Sequence, residues 1–204
     1  MIAVIDYSAG NLRSVVNAIN KLGYAPRITS EPEVVLAADV VILPGVGAAA
    51  DTMANLKRLG LVAPLKRIIK EGKPFLGICM GLQLLFTGTE EGGWHEGLGV
   101  FPGRVKKLPT GLKIPHMGWN QMWQRKHHPV LDGIPDGANF YFVHSYYVAA
   151  EDGEIVAGET EYGVNFCSMV ARGNLVATQF HPEKSGEVGL KLYDNFLRQA
   201  SEEK

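Results

Sequence analysis

Apolar positions along the chain come in two textures. Ile2-Ala3-Val4-Ile5 is a short β-branched run that stops at Asp6, and after Gly10 the residues Val15, Val16, Ile19 and Leu22 recur at helical spacing as far as Gly23. A strand followed by a helix is predicted. Val40-Val41-Ile42-Leu43 repeats the strand and ends in Pro44-Gly45-Val46-Gly47, with helical spacing over about 51–59 and again over 62–71. A third run, Phe75-Leu76-Gly77-Ile78, ends at Cys79, and Leu82, Leu84, Leu85 and Phe86 predict a helix behind it. Three strand-to-helix units in succession predict a parallel sheet with right-handed crossovers, whose ligands bind beyond the carboxyl ends of the strands.

From about residue 98 the apolar runs shorten. Residues 103–108, 140–143, 155–158, 166–170 and 175–180 read as strands joined by hairpins, with Arg172-Gly173-Asn174 the clearest turn. A closing helix is predicted over 187–199, carrying Val188, Leu192 and Phe196 on its apolar face with Leu190 beside them. The expected fold class is therefore α/β: a mostly parallel central sheet flanked by helices, with antiparallel hairpins in the C-terminal half. No repeat, low-complexity tract or linker divides the chain, so one domain over residues 1–204 is expected.

Composition narrows the function. Hydrophobic residues at 46% and charged residues at 20% are globular proportions, which argues against disorder and against a membrane-spanning chain. Twenty Lys and Arg against 21 Asp and Glu leave a formal net charge of -1, without the basic footprint that nucleic acid or an anionic membrane requires. The 24 glycines and 11 prolines exceed the usual share of about 12% and imply many tight turns. The two cysteines, Cys79 and Cys167, form no Cys-x-x-Cys or zinc spacing, so neither a disulfide framework nor a metal site is expected. The N-terminus has no basic n-region or long apolar segment. With those cysteines, this gives the expectation of a cytoplasmic protein without cofactor.

The candidate chemistry begins at Gly77-Ile78-Cys79-Met80-Gly81, a nucleophile flanked by glycines between a strand and a helix. That is the logic of a nucleophile elbow: the flanking glycines admit close backbone approach, and the following helix directs its positive end at the sulfur. On the residues alone, Cys79 is either such a nucleophile or a buried core thiol. Cys167, in Asn165-Phe166-Cys167-Ser168, reads as a strand-packing residue. Phe180-His181-Pro182-Glu183 offers a base at another strand end, with Glu183 able to orient the His181 imidazole; the alternative is a surface loop with an incidental histidine. His127 and His128 read as solvated, and His116 and His144 as structural or binding residues. Backbone N–H groups after Pro44 are candidate oxyanion donors, while the lysine of a phosphate loop is missing there.

Together, Leu43-Pro44-Gly45-Val46-Gly47, the Cys79 elbow through Gln83, and Phe180-His181-Pro182-Glu183 resemble the class I glutamine amidotransferases in order and spacing. Within that superfamily, residues 6–12, His116-Met117-Gly118-Trp119-Asn120, residues 141–146 and residues 179–185 are similar to the glutaminase subunits of imidazole glycerol phosphate synthases. The resemblance implies hydrolysis of L-glutamine by a Cys79, His181 and Glu183 triad. It implies an oxyanion hole at Val46, Gly47 and Met80, and a substrate pocket of Gly47, Gln83, Glu91, Ser145 and Tyr146, with Glu90 the alternative to Glu91. It further implies a heterodimer with a cyclase subunit, a (β/α)8 barrel, that receives ammonia in histidine biosynthesis and is faced by Asn11, Trp119, Asn120, Tyr141 and Lys184. Three rivals stand beside this reading: a glutaminase serving another acceptor, a scaffold with a structural cysteine, and a cysteine peptidase.

Overall fold

Buried β-branched and aromatic runs build the centre of the molecule. The computed structural model describes residues 1–8 and 11–202 of the chain, so Ala9 and Gly10 of the 6–12 motif lie outside the described residues. The first half alternates strand and helix: β1 (Ile2–Ile5), α1 (Leu12–Lys21), β2 (Pro26–Thr29), α2 (Pro32–Ala37), β3 (Val40–Leu43), α3 (Ala49–Arg58), α4 (Val62–Lys70), β4 (Phe75–Ile78) and α5 (Met80–Gln83). The second half is rich in strands: β5 (Phe86–Thr89), β6 (His95–Glu96), β7 (Phe101–Lys107), β8 (His116–Gln124), β9 (Ala138–His144), β10 (Tyr146–Ala150), β11 (Val156–Glu161), β12 (Asn165–Arg172) and β13 (Leu175–Thr178), closed by α6 (Gly186–Glu202).

The parallel block runs in the order β2-β1-β3-β4-β13, and the sheet continues antiparallel through β12, β10 and β7. A branch leaves β12 through β11 to β8 and β9, all antiparallel. Strands buried on both faces explain the continuous apolar runs in the sequence. Ile5, Val41, Leu43 and Phe75 face Met53, Leu56, Leu65 and Ile68 of α3 and α4. Val4, Ile42, Leu76 and Val176 face the other layer, with Val15 and Ile19 of α1 and Leu192 and Phe196 of α6.

Several elements depart from the sequence reading. β2 and α2 were not anticipated: Ile28 is the only aliphatic side chain in β2, it lies on the sheet edge, and it is 47% exposed, so no apolar pattern marks the strand. The helix predicted behind Cys79 is the single turn α5, and Phe86 belongs to β5 instead. A short apolar run buried on all sides has no period that separates a helix from a strand.

Candidate active site

Cys79 sits where β4 stops, with φ +53° and ψ −101°. This is a conformation that residues other than glycine rarely hold, at a cost of about 1–3 kcal/mol. The surrounding backbone enforces it. A Cβ on Gly77 would lie 2.7 Å from the Gly81 carbonyl oxygen, and one on Gly81 would lie 2.2 Å from the carbonyl oxygen of Leu43. Only glycines let the elbow press against β3. Because α5 is a single turn, the peptide dipoles directed at the sulfur are fewer than the predicted helix would supply.

β13 delivers the candidate base. It pairs in parallel with β4, Thr178 beside Ile78, so the residues following both strands leave the sheet at the same place. His181 Nδ1 lies 2.7 Å from Glu183 Oε1, in a pair whose side chains are 1% and 0% exposed. Asn11 Nδ2 donates to the same Oε1. Burial lowers the basicity of His181, but the Cys79 sulfur and then Glu183 outweigh it and raise the imidazole pKa to about 10. The sulfur is thus within electrostatic reach of the ring, while Nε2 makes no closed hydrogen bond among the described residues. With Nδ1 committed to the carboxylate, Nε2 is the nitrogen available for proton transfer at the sulfur.

A cavity of about 250 Å³ opens over Cys79. That is smaller than the roughly 300–1,000 Å³ of sites for drug-sized ligands and suits a single amino acid. Gly47, Gln83, Glu91, Ser145 and Tyr146 all line it, as do Val46 and Met80. Glu91 Oε2 accepts from the Ala49 N–H at 2.8 Å, whereas Glu90 is exposed. The Met80 N–H points to the Gly45 carbonyl at 3.5 Å, so this donor is occupied from within the loop. A Cβ on Gly45 would meet Met80 Cβ at 2.4 Å, which shows how closely the loop after β3 is seated on the elbow. A larger cavity of about 760 Å³ lies at the opposite end of the parallel strands, beside Lys70, Gly99 and Arg172, with no nucleophile or histidine in its wall.

The five residues expected to face a partner divide into two groups. Trp119 is 58% exposed and packs edge-on to Tyr141, with ring centroids 6.1 Å apart, and Lys184 Nζ lies 5.8 Å above the same Tyr141 ring. These three form one surface cluster. The backbone of Tyr141 is tied to the His181 segment, its carbonyl accepting from the His181 N–H at 2.9 Å and its N–H donating to Ser185 Oγ at 3.0 Å. Asn11 and Asn120 instead direct their amides inward, Asn11 to Glu183 and Asn120 to His116 and the Glu161 carbonyl.

Other residues with chemical potential are also placed. Burial holds His116 and His144 neutral, with pKa values lowered to about 4 and about 3. His128, expected to be solvated, is buried: its Nδ1 accepts from the Val130 N–H and its Nε2 lies 3.1 Å from the Gly173 carbonyl. Burial pushes the Cys167 thiol up to about 12, in keeping with a packing role. Sequence reasoning gave no role to Gln179, which is fully buried with its amide 3.5 Å from the Cys79 sulfur. Only the pairing of β13 with β4 reveals that contact. Among the described residues no group of three His, Cys, Asp or Glu is arranged to hold a metal ion, and no helix is long and apolar enough to cross a membrane.

An elbow cysteine beside a histidine and carboxylate pair, on a parallel sheet extended by antiparallel strands, defines a class. Residues 3–200 match the model of the family described as glutamine amidotransferase class-I, and the chain belongs to that family. Curated relatives narrow the resemblance. The chain is 57% identical, over 98% of both chains, to the imidazole glycerol phosphate synthase subunit HisH of Dehalococcoides mccartyi. It is 54% identical to the HisH subunit of Desulfitobacterium hafniense, covering 100% of this chain and 96% of that one. Among solved structures, PurLQS from Thermotoga maritima shares the fold with a TM-score of 0.75 at 20% identity, over 97% of each chain. The glutaminase domain of the Trypanosoma brucei protein CTPS gives 0.70 at 15% identity, over 98% of this chain and 93% of that one.

Proposed function

We propose that the chain is the glutaminase subunit of an imidazole glycerol phosphate synthase, working in the cytoplasm. It hydrolyses L-glutamine to L-glutamate and ammonia, and passes the ammonia to a (β/α)8-barrel cyclase that forms imidazole glycerol phosphate and AICAR. The observation that carries this reading is the buried His181–Glu183 pair coupled to Cys79 at the floor of a cavity sized for one amino acid.

In the reaction, the Cys79 thiolate attacks the side-chain carbonyl carbon of glutamine, and the oxygen takes up the negative charge. His181 Nε2 gives its proton to the nitrogen as the carbon–nitrogen bond breaks, releasing ammonia and leaving a thioester. Water then attacks the thioester while Nε2 takes its proton, and the thiolate departs from glutamate. The oxyanion needs backbone donors, and rotation of the Gly45–Val46 peptide does two things at once: it withdraws the Gly45 carbonyl from the Met80 N–H and swings the Val46 N–H toward the cavity. Glu91, Gln83, Ser145 and Tyr146 hold the amino-acid end of the substrate.

The cluster of Trp119, Tyr141 and Lys184 is the docking face for the cyclase, with aromatic anchors of the kind that dominate interface energetics. Because Tyr141 bonds through its backbone to His181, occupancy of that face is mechanically close to the triad. The test is glutamate release by the purified chain, alone and then with the cyclase and its ribonucleotide substrate. A low rate that rises strongly only with the loaded partner is expected, and equal rates in both conditions reject the partner. Trp119→Ala is expected to weaken the complex at least tenfold while leaving thermal stability unchanged.

A further inference from the structure

Two hydrogen-bonded branches meet at the carbonyl of Tyr146, an atom that only accepts and so settles the direction of both. Two side chains donate to it, His144 Nδ1 at 2.8 Å and Gln83 Nε2 at 3.0 Å. Toward the nucleophile, the second hydrogen of Gln83 Nε2 goes to Gln179 Oε1 at 3.0 Å. Gln179 must therefore present Nε2, not oxygen, to Cys79 Sγ at 3.5 Å. In the other direction, a neutral His144 protonated on Nδ1 offers Nε2 as an acceptor to His116 Nδ1 at 2.9 Å. His116 Nε2 then accepts from Asn120 Nδ2 at 3.3 Å. The amide of Asn120 is anchored in turn, donating to the Glu161 carbonyl at 2.9 Å and accepting the Gln121 N–H at 2.8 Å.

We propose that Gln179 is a positioning residue for the nucleophile: its amide donates to the Cys79 sulfur and favours the thiolate, and its orientation is set through Gln83 by the Tyr146 carbonyl. The proposal rests on the reading of Cys79 as the nucleophile. A buried thiolate needs donors. In the reaction proposed above His181 serves as one, but it surrenders its proton to the leaving ammonia, whereas an amide N–H is too weakly acidic to be transferred and stays a donor through both halves of the reaction. The backbone of Gln179 is held by its N–H to the Ser168 carbonyl at 2.8 Å, and the residue is fully buried, so the amide cannot swing out to water. The other charged or titratable groups near the sulfur are His181 after β13, Tyr7 after β1, His144 on β9, and Glu91 and Tyr146 in the cavity wall, with Glu183 acting through His181. Substituting Gln179 leaves all of them in place.

The experiment is the pH dependence of Cys79 alkylation by iodoacetamide in the full chain, followed by mass spectrometry of the modified residue. In Gln179→Met the midpoint is expected to rise by about one pH unit, because a donor to the charged form has been removed. Gln179→Glu, which sets a carboxylate beside the sulfur, is expected to raise it further. In both variants kcat falls by more than KM rises. Midpoints equal to that of the native chain in both variants overturn the proposal. A measurement on the native chain guards against misfolded variants: the side-chain amide nitrogen signal of Gln179 is expected to titrate at the alkylation midpoint, and an amide that ignores it also overturns the proposal. If native Cys79 reacts no faster than Cys167 at neutral pH, the nucleophile assignment itself fails, and the proposal fails with it.

Discussion

His181 at the end of β13 and the His116–His144 pair across β8 and β9 are buried to nearly the same extent, yet they ionise in opposite directions. Burial acts on all three in the same sense, lowering the affinity for a proton. What differs is what each ring faces. His181 looks at a carboxylate on one side and a sulfur on the other, and takes a proton to satisfy both. His144 looks at a carbonyl and a neutral ring, which one proton on the correct nitrogen satisfies without charge. Depth thus fixes how much an imidazole's partners matter, and the partners decide its charge.

The comparison breaks most completely at Glu183. Glu183→Gln keeps an acceptor for His181 Nδ1 but removes the negative charge. The imidazole pKa is then expected to drop from about 10 and glutaminase kcat to fall by about 10³-fold or more, measured by glutamate release and by the histidine ring signals. The backbones beneath the two sites differ as well. Gly81→Ala forces a Cβ to 2.2 Å from the Leu43 carbonyl oxygen and is expected to cost on the order of 3 kcal/mol or more in urea unfolding. Gly118→Ala in β8 meets nothing within 4 Å and bears only the strain of φ +135°, an expected cost of about 1–2 kcal/mol.

pH separates the two regions without mutation. His116 and His144 have folded pKa values below the unfolded value of about 6.5, so the unfolded chain takes up protons first as pH falls. Their contribution to stability is present above pH 6.5 and is lost on the way down to about pH 4 for His116 and about pH 3 for His144. His181 is the reverse: its folded pKa is raised, so its contribution is present below about pH 6.5 and is lost as pH climbs toward 10. A stability maximum near neutrality is expected, with Tm falling by roughly 5 °C or more between pH 7 and pH 4.5. His144→Gln is expected to reduce the acid-side loss and leave the alkaline side unchanged. The smallest effect is expected at the cavity mouth, where Glu91→Ala raises the glutamine KM severalfold and Glu90→Ala leaves it within about twofold.

How far the sequence reaches depends on which side chains are buried. β1, β3 and β4, α1, and the β12–β13 hairpin at Gly173 were legible because their apolar residues face a core on a regular period. β2 was illegible because its one aliphatic side chain points to water. β8 was illegible as a strand because Met117, Trp119 and Trp123 lie on its open face, 61%, 58% and 42% exposed, so large apolar residues mark the solvent side instead of the core. At the site, Cys79, His181 and Glu183 were singled out through their own local settings, and the fold brings them together. The inward roles of Asn11, Asn120 and Gln179 were not, because each depends on strands or loops distant in sequence that only the folded sheet brings together.

The place of β13 has a consequence for biosynthesis. It lies between β4 and β12, although it is the last strand to leave the ribosome. Until residue 178 has emerged, Phe75-Leu76-Gly77-Ile78 forms an uncovered sheet edge of four apolar-lined residues, open to pairing with another nascent chain. During that interval the elbow cysteine has no histidine. Translation therefore completes the sheet and brings the histidine to the thiol in the same step, and a chain cut short before β13 is an aggregation hazard whose Cys79 lacks its His181 and Glu183 partners.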